Sequence, residues 1–218
     1  MSEKELTLGE IKRIFEDRKP GTIGPHERYS VLVPLVFQDG EPSVLFEIRS
    51  EELKRQPGEI CFPGGKVEAG ESEAACALRE TTEELGLPAA AVQIIARLDD
   101  LHSYGNFTIC SFLGVIDAEK LERAMISASE VKSIFLLPLS ALLAAEPDVY
   151  RLDIIPKVEE GFPFDLVDGS YRTNWGKGRT EVPVYQLDGK VIWGLTARIA
   201  RNFAKIIREH IREGREEK

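Results

Sequence analysis

The chain has 218 residues, of which 43% are hydrophobic and 30% are charged, and its formal net charge is −9. A chain of this length forms one large domain or at most two small ones, with enough residues to bury a substantial core. The acidic balance excludes a general polyanion-binding protein, because such proteins present basic surfaces. We therefore expect no nucleic-acid partner, although a small phosphorylated ligand stays compatible with this charge.

No apolar run predicts a membrane span, because the longest, IFLLPLSALLAA, is interrupted by Pro138 and Ser140 and falls short of about 20 residues. The start, MSEKELTLGE, lacks the apolar core of a secretion signal. Cys61, Cys76 and Cys110 show neither metal-ligand nor CxxC spacing. These features predict a cytoplasmic protein with reduced, buried thiols and no membrane association.

The predicted elements begin with an N-terminal helix over about residues 6–17, where apolar residues recur at helical spacing. Two apolar, β-branched runs around a Gly-Glu-Pro turn predict a hairpin, and a short strand then leads into the glycine loop FPGGK. The next predicted helix begins at about Ser72, ends at Leu85 and is stopped by Gly86 and Pro88.

Beyond this helix, the segments VQIIARLDDLHS, FTICSFLGVID and VKSIFLLPL are typical of strands, and LSALLAA is typical of a short helix. Residues 146–180 are rich in Gly, Pro, Asp and aromatic residues and predict a long, partly irregular segment. EVPVYQLDGKVIWG predicts a hairpin that turns at Asp188-Gly189, and an amphipathic helix over about residues 195–213 closes the chain. Together these elements predict a single α/β domain over residues 1–218 with a mixed sheet.

Three carboxylates crowd one turn of the predicted helix, in the stretch RETTEELGL. Like charges at a spacing of three or four residues weaken a helix by roughly 0.2–0.5 kcal/mol per pair. Helical periodicity puts Glu80, Glu83 and Glu84 on a stripe away from the apolar residues that pack on the sheet. Arg79 can pair with Glu83 but cannot neutralise all three carboxylates. Clustered carboxylates beside glycine-loop carbonyls suit a hard cation such as Mg²⁺, although a solvated acidic face would show the same pattern.

The stretch GKVEAGESEAACALRETTEELGL, residues 65–87, resembles the signature of the Nudix hydrolases, G-x5-E-x7-R-E-U-x-E-E-x-G-U, where U is a bulky aliphatic residue. Every fixed position is filled, and the one departure is Thr81 at the first aliphatic position. The resemblance implies a Nudix-type α/β/α sandwich with a mixed sheet. It also implies hydrolysis within the diphosphate of a nucleoside diphosphate that is linked to another group.

The same resemblance implies the metal site. Glu80, Glu83 and Glu84 correspond to the catalytic carboxylates that bind divalent cations, either Mg²⁺ or Mn²⁺. The backbone carbonyl of Gly64, just before the first glycine of the motif, is an expected further ligand. Water activated at the cations then attacks one phosphorus atom of the substrate.

A second motif lies directly upstream. LFEIRSEELKRQPGEICFPGG, residues 45–65, is similar to the additional signature of the coenzyme A pyrophosphatase branch, LLTxR[SA]x3Rx3Gx3FPGG. The departures are Phe46 for Leu, Glu47 for Thr and Lys54 for Arg. This resemblance implies cleavage of coenzyme A or acyl-CoA to 3′,5′-ADP and 4′-phosphopantetheine or its acylated form.

Four residues of this upstream stretch are the predicted substrate-binding residues: Arg49, Ser50, Lys54 and Arg55. Coenzyme A carries three phosphate groups, and a basic cluster beside a metal site would provide the opposite charge. Lys54 keeps the positive charge but loses the two-pronged geometry of a guanidinium, for which Arg55 could compensate. An exposed basic loop without a ligand is the alternative interpretation.

The resemblance implies two further roles. Glu71 and Arg79 correspond to the internal ion pair of the family, which braces the loop against the helix. A general base is also needed, and Glu130 in SASEVKSIF is the loop candidate because SEV resembles the pattern of the branch. A plain surface carboxylate is the alternative for Glu130.

Other interpretations stay open at this point. The same chemistry could act on ADP-ribose, a dinucleotide or an oxidised nucleotide. A non-catalytic Nudix domain used for binding or regulation is less favoured, because such domains typically lack a metal-site glutamate and none is missing here. Tyr171, Trp175 and Arg179 are candidates for binding adenine or pantetheine, or for simple packing. The N-terminal helix and the basic final helix offer contacts for a homodimer.

Overall fold

The computed structural model describes residues 6–167 and 175–216. Five α-helices, eleven strands and a 3₁₀ turn at Ala89–Ala91 are present in these ranges. Their bounds in chain order are α1 Leu8–Glu16, β1 Glu27–Gln38, β2 Glu41–Arg49, β3 Ile60–Cys61, β4 Gly64–Lys66, α2 Glu73–Leu85, β5 Val92–Arg97, β6 Leu101–Ser103, β7 Phe107–Ile116, α3 Ala118–Leu121, β8 Val131–Pro138, α4 Leu139–Ala144, β9 Asp148–Ile154, β10 Gly178–Leu187, β11 Lys190–Trp193 and α5 Gly194–Glu216.

Strand β1 lies at the centre of an eight-stranded sheet. It pairs in parallel with β7 and antiparallel with β2 and β4. Strands β3 and β8 pair with β2, whereas β5 and β6 pair with β7, all of them antiparallel. The sheet is therefore mixed, as predicted. A second, antiparallel sheet has the strand order β11-β10-β9.

Alternate side chains of β1 enter two hydrophobic cores on opposite faces of the large sheet. Leu32 and Val36 pack in the core that α2 covers. Val33 and Leu35 pack in the other core, which α4, α5 and the second sheet cover. This alternation is the period of two that a strand buried on both faces requires. Helices thus cover both faces of the large sheet, which confirms the predicted α/β/α class.

Two hairpins turn at Asp-Gly pairs. Asp188 and Gly189, with φ of 46° and 69°, join β10 to β11 as predicted. The first hairpin is also present, but its predicted Gly-Glu-Pro turn is wrong. Asp39 and Gly40, with φ of 50° and 85°, make the turn, and β2 already begins at Glu41. Both pairs have the two positive φ values that a two-residue hairpin loop favours, so the Asp-Gly pair carried the relevant signal.

The prediction of an irregular segment over residues 146–180 is wrong in part. Strand β9 lies within it, and β10 begins at Gly178. Strand β9 is an edge strand whose side chains are mostly exposed, so its sequence lacks a buried apolar alternation. Trp175 packs edge-on against Phe162, and Arg179 pairs with Asp153 at 3.0 Å. Tyr171 lies outside the described residues.

Helix α2 carries the acidic cluster, and its ends are fixed by capping residues. The hydroxyl of Ser72 accepts a hydrogen bond from the Ala75 N–H at 3.2 Å, which caps the first turn. Gly86 ends the helix in the left-handed conformation, with φ of 63°. The Leu87 N–H then donates to the Thr82 carbonyl at 3.0 Å, as in a Schellman motif. These bonds confirm the predicted start and stop of this helix.

The three cysteines are free thiols. Cys76 and Cys110 are buried as expected, whereas Cys61 is only half-buried. Burial raises the pKa of both Cys61 and Cys76 to about 12. In the described part of the chain, no helix is both long and apolar enough to cross a membrane. The domain extent, the cellular location and a homodimer stay predictions.

Replacing Gly86 by alanine should destabilise the protein by more than the left-handed strain alone. A Cβ at Gly86 would overlap the backbone carbonyl of Met125, in addition to a strain of about 1–2 kcal/mol at positive φ. Gly70 is the matched control, because its φ is 84° and nothing lies near its Cβ position. We expect Gly70→Ala to cost about 1 kcal/mol and Gly86→Ala at least twice as much, measured by guanidinium unfolding. Equal losses would contradict the packing assigned to Gly86.

Candidate active site

The short strand β4 places two glycines against the acidic face of α2. It pairs antiparallel with β1, so that Gly64 lies opposite Val31 and Gly65 opposite Ser30. The Gly64 N–H donates to Oε2 of Glu84 at 2.9 Å. A Cβ on Gly65 would overlap the Glu80 carboxylate, and one on Gly64 would overlap the Ser30 carbonyl. The absence of a side chain at Gly65 therefore permits the close approach of β4 to α2, and its absence at Gly64 permits the close approach of β4 to β1.

The three glutamates of α2 differ in their burial. Glu84 is only 6% exposed, which corrects the prediction that all three lie on an outer stripe. Burial raises the pKa of Glu84 to about 8, opposed by the hydrogen bond from Gly64. Glu80 is half-buried, and burial raises its pKa as well. The side chain of Glu83 is 56% exposed. Only Glu83 therefore faces solvent as expected.

Arg79 contacts three carboxylates. Its Nε and Nη2 donate to the two oxygens of Glu71 at 2.9 and 3.1 Å, which is the two-pronged geometry that suits a guanidinium. Its Nη1 lies 2.9 Å from Oε1 of Glu80 and 3.1 Å from Oε2 of Glu83. The hydrogen bonds that Arg79 donates to Glu71 raise the pKa of Arg79 above its usual value. The predicted pair of Glu71 and Arg79 is thus in contact, and it is linked directly to the acidic cluster.

Glu47 is the site residue that the sequence analysis missed. It is 1% exposed, and its Oε1 is buried without a hydrogen-bond partner in the part of the chain that the structure describes. Burial raises the pKa of Glu47 well above its usual value, the charge of Glu84 raises it further, and Arg49 lowers it. The available signal was the alternation along β2, in which Leu45, Glu47 and Arg49 share one face. Leu45 packs in the core beneath α2, so this face points towards the acidic helix.

The predicted substrate-binding residues separate into two groups. Arg49 lies beside the cluster, where it lowers the pKa of Glu47, Glu84 and Cys61. The Nε of Arg49 is buried and has no hydrogen-bond partner within residues 6–167 and 175–216. Lys54 and Arg55 are exposed on the loop between β2 and β3.

A hydrogen bond between Ser50 and Glu130 joins the loop after β2 to the residue that precedes β8. Ser50 is 5% exposed, its N–H donates to the Glu130 carbonyl at 2.8 Å, and its hydroxyl accepts from the Glu52 N–H at 3.4 Å. Its polar groups are therefore used within the loop. Glu130 is exposed, and its charge raises the pKa of Glu47, Glu80 and Glu84. Glu130 thus lies in the same electrostatic neighbourhood, whereas its role as a base stays a prediction.

The glycine strand β4, the acidic helix α2 and the Glu71–Arg79 ion pair all lie between residues 64 and 85. A model of the NUDIX domain matches residues 26–157, which is more than half of the chain. The chain belongs to the Nudix hydrolase family. The departure from the Nudix signature at Thr81 has a structural explanation. Thr81 is fully buried, and its hydroxyl donates to the Ala77 carbonyl at 2.6 Å, so that no polar group is left unpaired.

Curated relatives carry the same family name. Nudix hydrolase 3 of Caenorhabditis elegans is 40% identical over 145 residues, which cover 64% of this chain and 60% of that protein. Peroxisomal coenzyme A diphosphatase NUDT7 of Mus musculus is 38% identical over 124 residues, covering 56% of this chain and 51% of that protein. The Nudix hydrolase NudL of Yersinia enterocolitica is 29% identical over 209 residues, covering 94% of this chain and 95% of that protein. The first two matches thus span little more than half of the relatives concerned.

Nudix hydrolases generally use divalent metal cations, and the acidic cluster of this chain suits them in chemistry. Its donors are oxygens, and its five carboxylates (Glu47, Glu80, Glu83, Glu84 and Glu130) exceed the two guanidiniums of Arg49 and Arg79. Among residues 6–167 and 175–216, no group of three or more His, Cys, Asp or Glu side chains is arranged to hold a metal ion. Arg79 holds two of the carboxylates, which would have to exchange it for a cation. The buried, unpartnered oxygen of Glu47 is the observation that favours such a cation.

Replacing Arg79 by lysine should destabilise the protein by about 1–2 kcal/mol, because an ammonium group cannot keep both hydrogen bonds to Glu71. Arg97→Lys is the matched control. Arg97 also donates to both oxygens of a carboxylate, that of Asp100, but its side chain is 49% exposed. We expect the control to change the free energy of unfolding by less than about 0.5 kcal/mol. Similar losses in the two variants would show that Arg79 is no more than a surface ion pair.

Proposed function

We propose that this chain is a metal-dependent pyrophosphatase that hydrolyses the diphosphate of coenzyme A or acyl-CoA. The products are 3′,5′-ADP and 4′-phosphopantetheine or its acylated form. Glu80, Glu83 and Glu84 bind Mg²⁺ or Mn²⁺, together with the carbonyl of Gly64. The competing substrates for the same chemistry are ADP-ribose, a dinucleotide and an oxidised nucleotide.

The position of Arg49 is the observation that carries this proposal. Arg49 belongs to the stretch that resembles the coenzyme A signature, and β2 delivers its guanidinium to the acidic cluster. Its Nε is buried without a partner, which is costly unless an acceptor arrives in the functional state. A phosphate oxygen is a suitable acceptor, because guanidinium and phosphate form strong, charge-assisted hydrogen bonds.

The relatives support the same substrate class. NUDT7 of Mus musculus is named a coenzyme A diphosphatase, and 124 residues of this chain align with it at 38% identity. The aligned part covers only 51% of that protein, so the substrate is a proposal for this chain.

Each residue then has a defined task. Bound cations would neutralise the diphosphate and lower the pKa of the attacking water. Arg49 donates to a phosphate oxygen and orients the diphosphate, and Lys54 and Arg55 attract the remaining phosphate of coenzyme A. Glu130 accepts the proton of the water as its oxygen bonds to phosphorus and the bond to the bridging oxygen breaks. Glu71 keeps Arg79 in place, which fixes the glycine strand against the helix.

A panel of three substrates tests the proposal. Coenzyme A, ADP-ribose and 8-oxo-dGTP are each incubated with the protein and Mg²⁺ or Mn²⁺, and the products are separated by chromatography. We expect coenzyme A to be cleaved fastest, with 3′,5′-ADP among the products. Rapid cleavage of ADP-ribose with no turnover of coenzyme A would reject the proposed substrate.

Two glutamate variants serve as controls for the panel. The double substitution Glu83→Gln and Glu84→Gln should abolish turnover and leave the circular dichroism spectrum unchanged, whereas Glu122→Gln, on an exposed residue, should keep the wild-type rate. Undiminished turnover in the double variant would contradict the assignment of the metal-binding residues.

The substitution Arg49→Met should raise the KM for coenzyme A at least tenfold, since the loss of one charge-assisted hydrogen bond to phosphate is worth about 1.4 kcal/mol or more. Lys132→Met is the control, because Lys132 is an exposed residue that pairs with Glu51 at 2.9 Å. The measurement is steady-state kinetics at saturating Mg²⁺. An unchanged KM in Arg49→Met would remove Arg49 from the binding site.

A further inference from the structure

Glu47 carries a carboxyl group in a buried position, where the charged form is energetically unfavourable. It lies in the middle of β2, between Cys61 of β3 and Ile134 of β8 in the sheet register. It is 1% exposed, and its Oε1 has no hydrogen-bond partner among the described residues. A buried carboxylate requires a hydrogen-bond donor or a cation to be tolerated. The described residues provide neither a donor nor a cation for the Oε1 of Glu47.

Arg79 and Arg49 are the two arginines of the site, and among the described residues neither forms a hydrogen bond with the Oε1 of Glu47. Arg79 contacts Glu71, Glu80 and Glu83. The charge of Arg49 acts on Glu47, but the Nε of Arg49 and the Oε1 of Glu47 are both left without a partner. Two carboxyl groups act on Glu47: the charges of Glu84 and Glu130 raise its pKa, and so does a side-chain hydrogen bond with Glu84. Among the described residues, the Oε1 of Glu47 is thus left without a donor or a cation at the point where β2 meets α2.

The residue type at position 47 also favours a bound cation. The coenzyme A signature that residues 45–65 resemble has Thr where this chain has Glu47. A buried threonine would carry no charge and could bond locally, as Thr81 does in α2. This chain therefore adds a charged oxygen donor next to Glu84, on the face of β2 that points to the acidic helix.

We propose that Glu47 is a further carboxylate ligand of the divalent-cation site, supplied by β2 in addition to the glutamates of α2. This inference rests on the proposed function, because it assumes that Glu80, Glu83 and Glu84 bind the cation. With Glu47, the site of this chain has one more carboxylate than the coenzyme A signature specifies. The expected consequence is tighter binding of the cation by the free protein, before any substrate is present.

The opposing interpretation is that Glu47 is a neutral, structural carboxyl group that shares a hydrogen bond with Glu84. In that case a glutamine, which has nearly the same shape, would replace it without effect on cation binding. The two interpretations therefore differ in the affinity for the cation alone, independent of turnover.

The test measures Mn²⁺ binding by the substrate-free protein, from the electron paramagnetic resonance signal of free Mn²⁺ during a titration. Three variants are compared with the wild type: Glu47→Gln, Glu47→Thr and the control Glu41→Gln, which changes an exposed glutamate of the same strand. Thermal unfolding with and without Mn²⁺ gives a second readout on the same samples.

We expect both Glu47 variants to weaken Mn²⁺ binding at least tenfold and to lose most of the rise in Tm that Mn²⁺ gives the wild type. The Glu41→Gln control should bind as the wild type does. If Glu47→Gln is folded and binds Mn²⁺ with wild-type affinity, the inference is overturned and the proposed function is untouched. If the wild type itself binds no Mn²⁺, the proposed metal-dependent function fails, and the inference fails with it.

Discussion

The hydrogen bond from the Gly64 N–H to Glu84 joins the glycine strand to the acidic helix, and the rest of the site is built around this contact. It requires β4 to lie close to both neighbours without side chains, which Gly65 allows against α2 and Gly64 allows against β1. It also requires α2 to start and stop at fixed residues, which its two caps ensure. A shift of the helix by one residue would turn Glu84 away from β4, because each residue rotates the helix by about 100°.

The site concentrates negative charge in a place with little water. Six carboxylates, those of the cluster and that of Glu71, share two guanidiniums, and Arg79 bridges the loop residue Glu71 to Glu80 and Glu83. Arg79 therefore has two effects in the metal-free protein. It braces the loop against the helix, and it occupies the oxygens that a cation would need. Burial raises the pKa of Glu84 and Glu47, because it disfavours the charged form of each carboxyl group.

Patterns among residues close in sequence predicted most of the fold. The features that were missed depend on how distant strands pair in the sheets. The caps of α2, the Asp188-Gly189 turn and the acidic motif each depend on residues close in sequence, and each was recognised. Strand β9 was missed because an exposed edge strand needs no apolar alternation. Glu47 was missed because the alternation along β2 indicates only which face it shares, whereas its burial also depends on the pairing of β2 with β3 and β8.

The parallel pairing of β1 with β7 has a consequence for how the protein folds. These strands are separated in sequence by residues 39–106, a stretch that contains β4, α2 and nearly every acidic residue of the site. Closing such a loop is entropically unfavourable, and contacts between distant residues slow folding. The helix can form early as a local element, but the cradle around it is complete only when the sheet closes. A nascent chain that ends before residue 116 would therefore present this acidic helix without the complete sheet against which it packs.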